Sequence, residues 1–164
     1  MDTTHLGVLE VFHRLSHLES CSFAPVKDRG IDFIGYSRRK FVAFQIKTSK
    51  QYFDRYTPRG AEYCYWWEVS RALHREILSE NVFYIFVGVH FDLRGRNAIG
   101  YDFFIINSLE LDRMFSDKKF RYDTKNSKWR IEIYLDRNTS RFLSAFDSSC
   151  DLTAFHNAWW KIIE

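Results

Sequence analysis

Three polar side chains are spaced so that two neighbouring strands could bring them together. Asp32 lies in a predicted strand over residues 31–35, and Gln45 and Lys47 close a second predicted strand over residues 41–47. Because side chains alternate along a strand, Gln45 and Lys47 share one face. An antiparallel hairpin through the polar tip at 37–40 would place all three side chains close together.

This combination of side chains suits the hydrolysis of a phosphodiester bond. A carboxylate and an amide oxygen are hard ligands that can hold a divalent cation such as magnesium. A lysine beside them could orient or deprotonate an attacking water, or stabilise the negative charge that develops on phosphorus. The alternative without a catalytic role is an aspartate that caps a turn, beside an exposed polar strand end.

A family resemblance rests on these residues. The segment DRGIDFIG, from Asp28, and the later segment FQIKTS, from Phe44, resemble the PD-(D/E)xK nuclease superfamily. The likeness is to the branch in which Gln replaces the second acid, as in Mrr-like restriction nucleases. It implies that Asp32 binds the metal, that Gln45 replaces the second acidic ligand and that Lys47 is the catalytic lysine.

The same resemblance implies further parts of the site. Glu10, on the predicted first helix, would complete the metal site, and the cofactor would be Mg²⁺ or Mn²⁺. Two positions depart from the family pattern: Ile31 precedes Asp32 where the family has Pro, and Gln45 is neutral. The second departure leaves less negative charge for a cation. It also raises an alternative function, a catalytically silent module of the same fold that binds nucleic acid or a protein partner.

The order of predicted elements indicates an α/β fold. The resemblance implies a restriction-endonuclease-like αβββαβ core, with a central mixed β-sheet flanked by helices and with C-terminal strand and helix additions. We expect a single domain over residues 1–164, with the matched core at about 4–106 and the extension at about 107–164. The predicted elements are a helix at about 4–19, the hairpin, an aromatic helix at 61–80, strands from Val82 and at 101–106, a short helix at 109–115 capped by Ser108, an edge strand at 129–135 and a helix from Asp151 to 163.

Positive charge is concentrated beside the candidate site. The net charge of the chain is +3, yet residues 37–60 contain seven basic residues and one acid, a local charge of +6. Such a basic segment favours a polyanionic partner, although a solvated basic face would have the same composition. The candidate nucleic-acid contacts are Arg38, Arg39, Lys40, Ser49, Lys50, Arg55 and Arg59. A second basic segment at 118–130 could extend this surface or simply be solvated.

Composition narrows the remaining possibilities. Hydrophobic residues make up 46% of the chain and charged residues 27%, which are normal values for a globular protein. No apolar run reaches the length of a membrane helix, and the first residues do not resemble an export signal. Three cysteines fit a reduced protein. We therefore expect a cytoplasmic protein that does not enter membranes.

The expected partner is DNA, with RNA the less favoured substrate. Cutting both strands of a duplex with one site per chain favours a homodimer, or a partner subunit that supplies specificity. Trp66 and Trp67 could stack on a base, but aromatic residues at helical spacing more commonly belong to a core.

Overall fold

The computed structural model describes residues 3–18, 21–28, 30–37, 40–52 and 58–163. The helices are α1 (Thr3–Ser16), α2 (Arg71–Glu76), α3 (Ser108–Ser116) and α4 (Trp160–Ile163), with a 3₁₀ turn at Thr153–Phe155. The strands are β1 (Cys21–Asp28), β2 (Ile31–Ser37), β3 (Lys40–Lys50), β4 (Ala61–Ser70), β5 (Val82–Phe91), β6 (Ala98–Asn107), β7 (Arg121–Asp123), β8 (Lys128–Asp136) and β9 (Arg141–Ser144).

A mixed five-stranded sheet forms the centre of the fold and confirms the α/β class. Its strands lie in the order β1-β2-β3-β5-β6, with β3 and β5 parallel and the other neighbours antiparallel. The predicted hairpin is confirmed as β2 and β3. The apolar run from Val82 is confirmed as β5, which lies between β3 and β6 and is buried from Val82 to Val89.

Helix α1 covers one face of this sheet. Val11 and Leu15 of the helix are fully buried in one hydrophobic cluster with Val42, Phe44 and other residues of the sheet. The predicted first helix is therefore confirmed, and these two residues belong to its buried face. Because β3 alternates, the even-numbered residues of its buried part face α1, and the odd-numbered ones face the opposite side.

A second sheet covers that opposite side, and it corrects two predictions. Residues 61–70, predicted as part of a helix, form strand β4, and only 71–76 are helical. Tyr65, Trp67 and Val69 alternate inward and pack against the central sheet. The strand predicted at the edge, β8, instead lies inside the second sheet, paired with β4, β7 and β9.

The pairing of β4 with β8 changes the expected division of the chain. Strand β4 lies within the segment expected to form the core, whereas β8 lies in the expected C-terminal extension. Their register runs from Ala61 opposite Asp136 to Ser70 opposite Lys128. The extension is therefore part of the same sheet as the core segment and is not an appendage.

The C-terminal helix is shorter than predicted. Asp151 Oδ1 accepts a hydrogen bond from the Thr153 backbone N–H at 2.9 Å, but this begins only a 3₁₀ turn. His156 then forms an isolated bridge with Phe104, and Asn157 has a φ of 52°. Residues 156 and 157 are therefore held against β6 in a non-helical conformation, and α4 begins only at Trp160.

The N-terminal cap of α3 differs from the prediction. The cap is Asn107, whose Oδ1 accepts from the Leu109 N–H at 2.9 Å, whereas the predicted cap, Ser108, is buried and bonds to Ser79.

Within the described ranges, no helix has the length and apolar character that crossing a membrane requires.

Candidate active site

The hairpin brings Asp32 to the segment that carries Gln45 and Lys47. The β2–β3 register pairs Phe33 with Phe44, so Asp32 is the next residue along β2 on the side of Gln45. The Ile46 backbone N–H donates to Asp32 Oδ2 at 2.6 Å. The Asp32 carboxylate therefore lies beside the backbone of Ile46, between Gln45 and Lys47. It takes the place of a strand partner for this N–H group.

Gln45 contributes a buried oxygen with no partner. The residue is only 4% exposed, and among the described residues its Oε1 accepts no hydrogen bond. Buried polar atoms are almost always bonded, because losing water without gaining a partner costs about 1–3 kcal/mol. An unpaired amide oxygen on the same face as Lys47 is what a cation or an ordered water at this position would satisfy.

Burial gives Lys47 a lower pKa than an exposed lysine has. Burial lowers the pKa of Lys47, the nearby negative charge of Asp32 opposes the change, and the positive charge of Lys128 adds to it. A lysine with a lowered pKa is a better proton acceptor near neutral pH than an exposed one.

Two further charged residues, not anticipated as site residues, lie near Lys47. Glu68 of β4 lines one cavity of about 420 Å³ together with Lys47, Ser49 and Lys50. Lys128 of β8 donates to Glu68 Oε2 at 2.6 Å. Because 61–80 was predicted as a helix, the position of Glu68 near Lys47 was not expected. The alternation of aromatic residues along 63–69 is a strand signal that could have revealed this position.

Glu10 is not brought to this site. It lies on α1, which packs on the face of the central sheet opposite to that of Gln45 and Lys47. Its carboxylate pairs with Arg14 Nε at 3.0 Å, one turn along the helix. Its negative charge also acts on Tyr101 of β6, whose pKa is raised chiefly by burial. The expected metal-binding role of Glu10 therefore finds no support in its position.

The predicted nucleic-acid contacts are distributed unevenly. Ser49 and Lys50 line the cavity with Lys47. Lys40 is exposed at the opposite end of β3, and Arg59 is exposed in the turn before β4. Arg38, Arg39 and Arg55 lie outside the described residues.

Beside the cavity, the exposed ring of Trp66 lies against an arginine side chain. Trp66, which also lines the cavity, is 43% exposed. The guanidinium of Arg130 lies 5.4 Å from its ring centroid. Arg130 belongs to the second basic segment, so β8 adds positive charge beside the cavity. Trp67, by contrast, is buried, and its indole N–H donates to the Val87 carbonyl at 3.3 Å.

A separate polar cluster surrounds Asp102 on β6. Asp102 Oδ2 accepts from the hydroxyls of Tyr63 at 3.0 Å and Tyr65 at 2.8 Å, and it lies 2.8 Å from His90 Nε2. Its Oδ1 lies 2.7 Å from His156 Nε2. Because Oδ2 has three partners and Oδ1 has one, we interpret the cluster as a structural network. No periodic pattern predicts this cluster, because its members come from four separate segments of the chain.

The donor set around Gln45 fits a hard cation only in part. Asp32 and Gln45 offer the oxygen atoms that Mg²⁺ and Mn²⁺ prefer, and the unpaired Oε1 is a vacant acceptor. Within the described part of the chain, however, no three residues among His, Cys, Asp and Glu are grouped closely enough to hold a metal. The hairpin by itself therefore offers one carboxylate and one amide oxygen.

No family model, curated protein or solved structure matches this chain. The resemblance to PD-(D/E)xK nucleases therefore remains an expectation drawn from the residues themselves.

Proposed function

We propose that this protein is a metal-dependent nuclease that hydrolyses DNA phosphodiester bonds through Asp32, Gln45 and Lys47. One observation carries the proposal. The carboxylate of Asp32 accepts at 2.6 Å from the backbone N–H of Ile46, the residue between Gln45 and Lys47. Its charge acts on the partly buried amine of Lys47, and Lys47 shares one face of β3 with Gln45, whose amide oxygen is unpaired.

Each of these groups has a distinct role in the proposed reaction. Asp32 and Gln45 Oε1 would hold the Mg²⁺ or Mn²⁺ ion. When bound, such an ion lowers the pKa of water and offsets the negative charge of the phosphate. Lys47 accepts a proton from the attacking water, for which its lowered pKa suits it. Lys50, at the same cavity, can contact a phosphate oxygen.

The order of elements also supports the proposal. Helix α1, strands β1 to β3, helix α2 and strand β5 follow the αβββαβ order of the superfamily. Strand β5 lies parallel to β3, next to the strand that carries Gln45 and Lys47. The departure is β4, which is inserted before α2 and pairs outside the central sheet.

The direct experiment is cleavage of supercoiled plasmid and of branched DNA with Mg²⁺ or Mn²⁺. We expect cleavage by the wild type and its loss in Asp32→Ala and Lys47→Ala. Matched controls are Asp117→Ala, at an exposed position after α3, and Arg137→Ala, exposed in the β8–β9 turn and outside both basic segments. Thermal unfolding of every variant separates loss of activity from loss of fold. Cleavage that survives both site substitutions would overturn the proposal.

A catalytically silent nucleic-acid-binding module is the second candidate. It is favoured by the neutral Gln45 and by the absence of a group of three metal-ligating residues within the described ranges. Such a protein would bind DNA with a steep dependence on salt but show no Asp32-dependent binding of Mn²⁺. Competition between DNA and RNA of matched sequence identifies the preferred nucleic acid.

A further inference from the structure

We propose that a second cavity, between α2, α3 and strands β7 and β8, binds a nucleotide through its phosphate group. The cavity has a volume of about 360 Å³ and shares no lining residue with the cavity at Lys47. Its volume lies near the lower end of the range, about 300–1,000 Å³, that proteins use for small ligands. This inference does not depend on the nuclease proposal.

Basic side chains give this cavity its charge. Arg71 and Arg75 lie one turn apart on α2, Lys118 follows α3, and all three residues are exposed. Arginine presents a planar fork of N–H groups that matches two phosphate oxygens. Among the described residues that line the cavity, Asp112 is the one acid. Three positive charges therefore face one negative charge, and the lining favours an anion.

Lys118 has a backbone conformation that is unfavourable for a lysine. Its φ of 55° lies in the left-handed region, where glycine is favoured just after a helix. The Lys118 N–H donates to the Phe115 carbonyl at 3.1 Å, and the Lys119 N–H donates to the Met114 carbonyl at 2.9 Å. A glycine would end α3 in the same way with less strain. Such outliers concentrate at functional sites, so the lysine side chain is a candidate ligand-binding group.

A buried imidazole adds a hydrogen-bond donor to the cavity wall. His74 is 2% exposed, and its Nδ1 lies 3.0 Å from the Tyr84 hydroxyl. Burial lowers the pKa of His74, so the ring is neutral at neutral pH, and Nε2 carries the hydrogen when Nδ1 accepts from Tyr84. Nε2 lies 3.3 Å from Asp112 Oδ1, and within the described ranges it makes no hydrogen bond of ordinary geometry. A phosphate oxygen in the cavity would satisfy this donor.

Aromatic rings form another part of the wall. Phe115 and Trp129 are stacked with their ring centroids 4.5 Å apart, and Tyr122 lies at the same distance from Trp129. The guanidinium of Arg71 lies 5.7 Å from the Tyr122 centroid. Aromatic side chains pack against nucleic-acid bases of any sequence. A nucleotide carries both a base for these rings and a phosphate for the basic side chains.

The test is calorimetric binding of the four nucleoside monophosphates to the full chain, with the nucleosides and inorganic phosphate as partial ligands. We expect a nucleotide to bind at least about tenfold more tightly than either partial ligand. Arg75→Gln should weaken nucleotide binding at least about tenfold, because it removes a charge-assisted hydrogen bond. Arg113→Gln, exposed on α3 and outside the lining, is the matched control. Lys47→Ala should leave the affinity unchanged, because Lys47 belongs to the other cavity.

Two further variants separate ligand binding from a structural role. Lys118→Gly removes the side chain and relieves the backbone strain, so it should raise the melting temperature while weakening nucleotide binding. Asp112→Asn removes a negative charge beside the phosphate, so it should tighten binding. Weaker binding in Asp112→Asn, or an unchanged affinity in Lys118→Gly, would count against a phosphate site.

The remaining outcomes are equally distinct. The proposal is overturned if no nucleoside monophosphate binds, if inorganic phosphate binds equally well, or if Arg113→Gln loses as much affinity as Arg75→Gln. Displacement of the nucleotide by a 5′-phosphorylated oligonucleotide would support the proposal and identify a strand end as the source of the phosphate. Failure of the oligonucleotide to displace a bound nucleotide would support a free nucleotide as the ligand.

Discussion

The carboxylate of Asp102 lies 2.7 Å from the imidazole of His156 and so fastens the C-terminal segment to the edge strand β6. The same carboxylate contacts Tyr65 of β4 and His90 of β5. One buried acid therefore links both sheets and the C-terminus. Removing its charge should affect the whole fold.

We predict that Asp102→Asn lowers the free energy of unfolding by about 3 kcal/mol or more. The amide keeps one acceptor oxygen but replaces the other with a donor, so the hydrogen bonds that the Tyr63 and Tyr65 hydroxyls donate to a charged oxygen are weakened or lost, and each such bond is typically worth about 1.5–3 kcal/mol. Denaturant unfolding at neutral pH measures the change. Asp117→Asn, at an exposed site, should stay within about 0.5 kcal/mol of the wild type. A similar small change for Asp102→Asn would show that the network contributes little.

The same residue predicts how stability depends on pH. Burial alone would raise the pKa of Asp102, but hydrogen bonds from His156, His90 and Tyr65 outweigh it and hold the pKa below its ordinary value of 3.8. A group with a lowered pKa in the folded state stabilises the fold above the unfolded-state pKa. That contribution is lost as the pH falls through the folded-state pKa.

The measurement is the unfolding free energy of the wild type and Asp102→Asn from neutral pH downward. The wild type should lose its advantage as the pH falls below about 4. Parallel curves for the two proteins would contradict the prediction.

Gly88→Ala is predicted to destabilise the fold by about 1–3 kcal/mol. A Cβ atom at Gly88 would overlap the ring of Tyr65, which is fully buried and has no room to turn aside. Gly100→Ala is the matched control, because its Cβ would lie 3.6 Å from the nearest atom of His90, an ordinary contact. Thermal unfolding of the two variants provides the comparison, and equal melting temperatures would show that Tyr65 can shift.

The pH profile of cleavage tests the role of Lys47. Because burial lowers its pKa, the neutral amine becomes available at a lower pH than for an exposed lysine, and the rate should rise with pH through that pKa. Lys47→Arg remains charged throughout, so it should lose this rising limb and about 10²-fold or more of the rate. Single-turnover cleavage at saturating Mg²⁺ gives both profiles. An unchanged profile in Lys47→Arg would exclude proton transfer by Lys47.

Gln45→Glu should restore charge to the hairpin. Without metal, a buried carboxylate at this position should destabilise the protein, because Gln45 is only 4% exposed. With Mn²⁺ the variant should gain more stability than the wild type, by about 1.4 kcal/mol for each tenfold gain in affinity at saturating metal. Thermal unfolding with and without Mn²⁺ measures the difference. An equal metal response in both proteins would mean that residue 45 does not meet the ion.

Local signals in the sequence were enough to predict the elements that carry the hairpin site. The first helix, β2, β3 and β5 each have a clear period or a continuous apolar run, and these patterns depend on neighbouring residues alone. Asp32 could be placed beside the Gln45–Lys47 segment for the same reason, since a short hairpin fixes its own register.

The second sheet could not be predicted in this way. Tyr63, Trp66 and Trp67 fit a helical spacing, yet the alternation of Tyr63, Tyr65 and Trp67 fits a strand, and the two patterns compete within one segment. Packing of Tyr65 and Trp67 against the central sheet and pairing with β8 decide in favour of the strand. Such pairing depends on distant residues, so only the three-dimensional structure reveals Glu68 and Lys128 as neighbours of Lys47.

The pairing of β4 with β8 also determines when the surroundings of Lys47 can form during synthesis of the chain. Glu68 and Lys128 are sixty residues apart, so a growing chain completes the hairpin of Asp32 and Lys47 long before β8 has been synthesised. At about 5–20 residues per second, the delay during translation is on the order of seconds. Non-local strand pairing is also among the slower steps of folding. The position of Glu68 beside Lys47 is therefore fixed only after the C-terminal strands have been made.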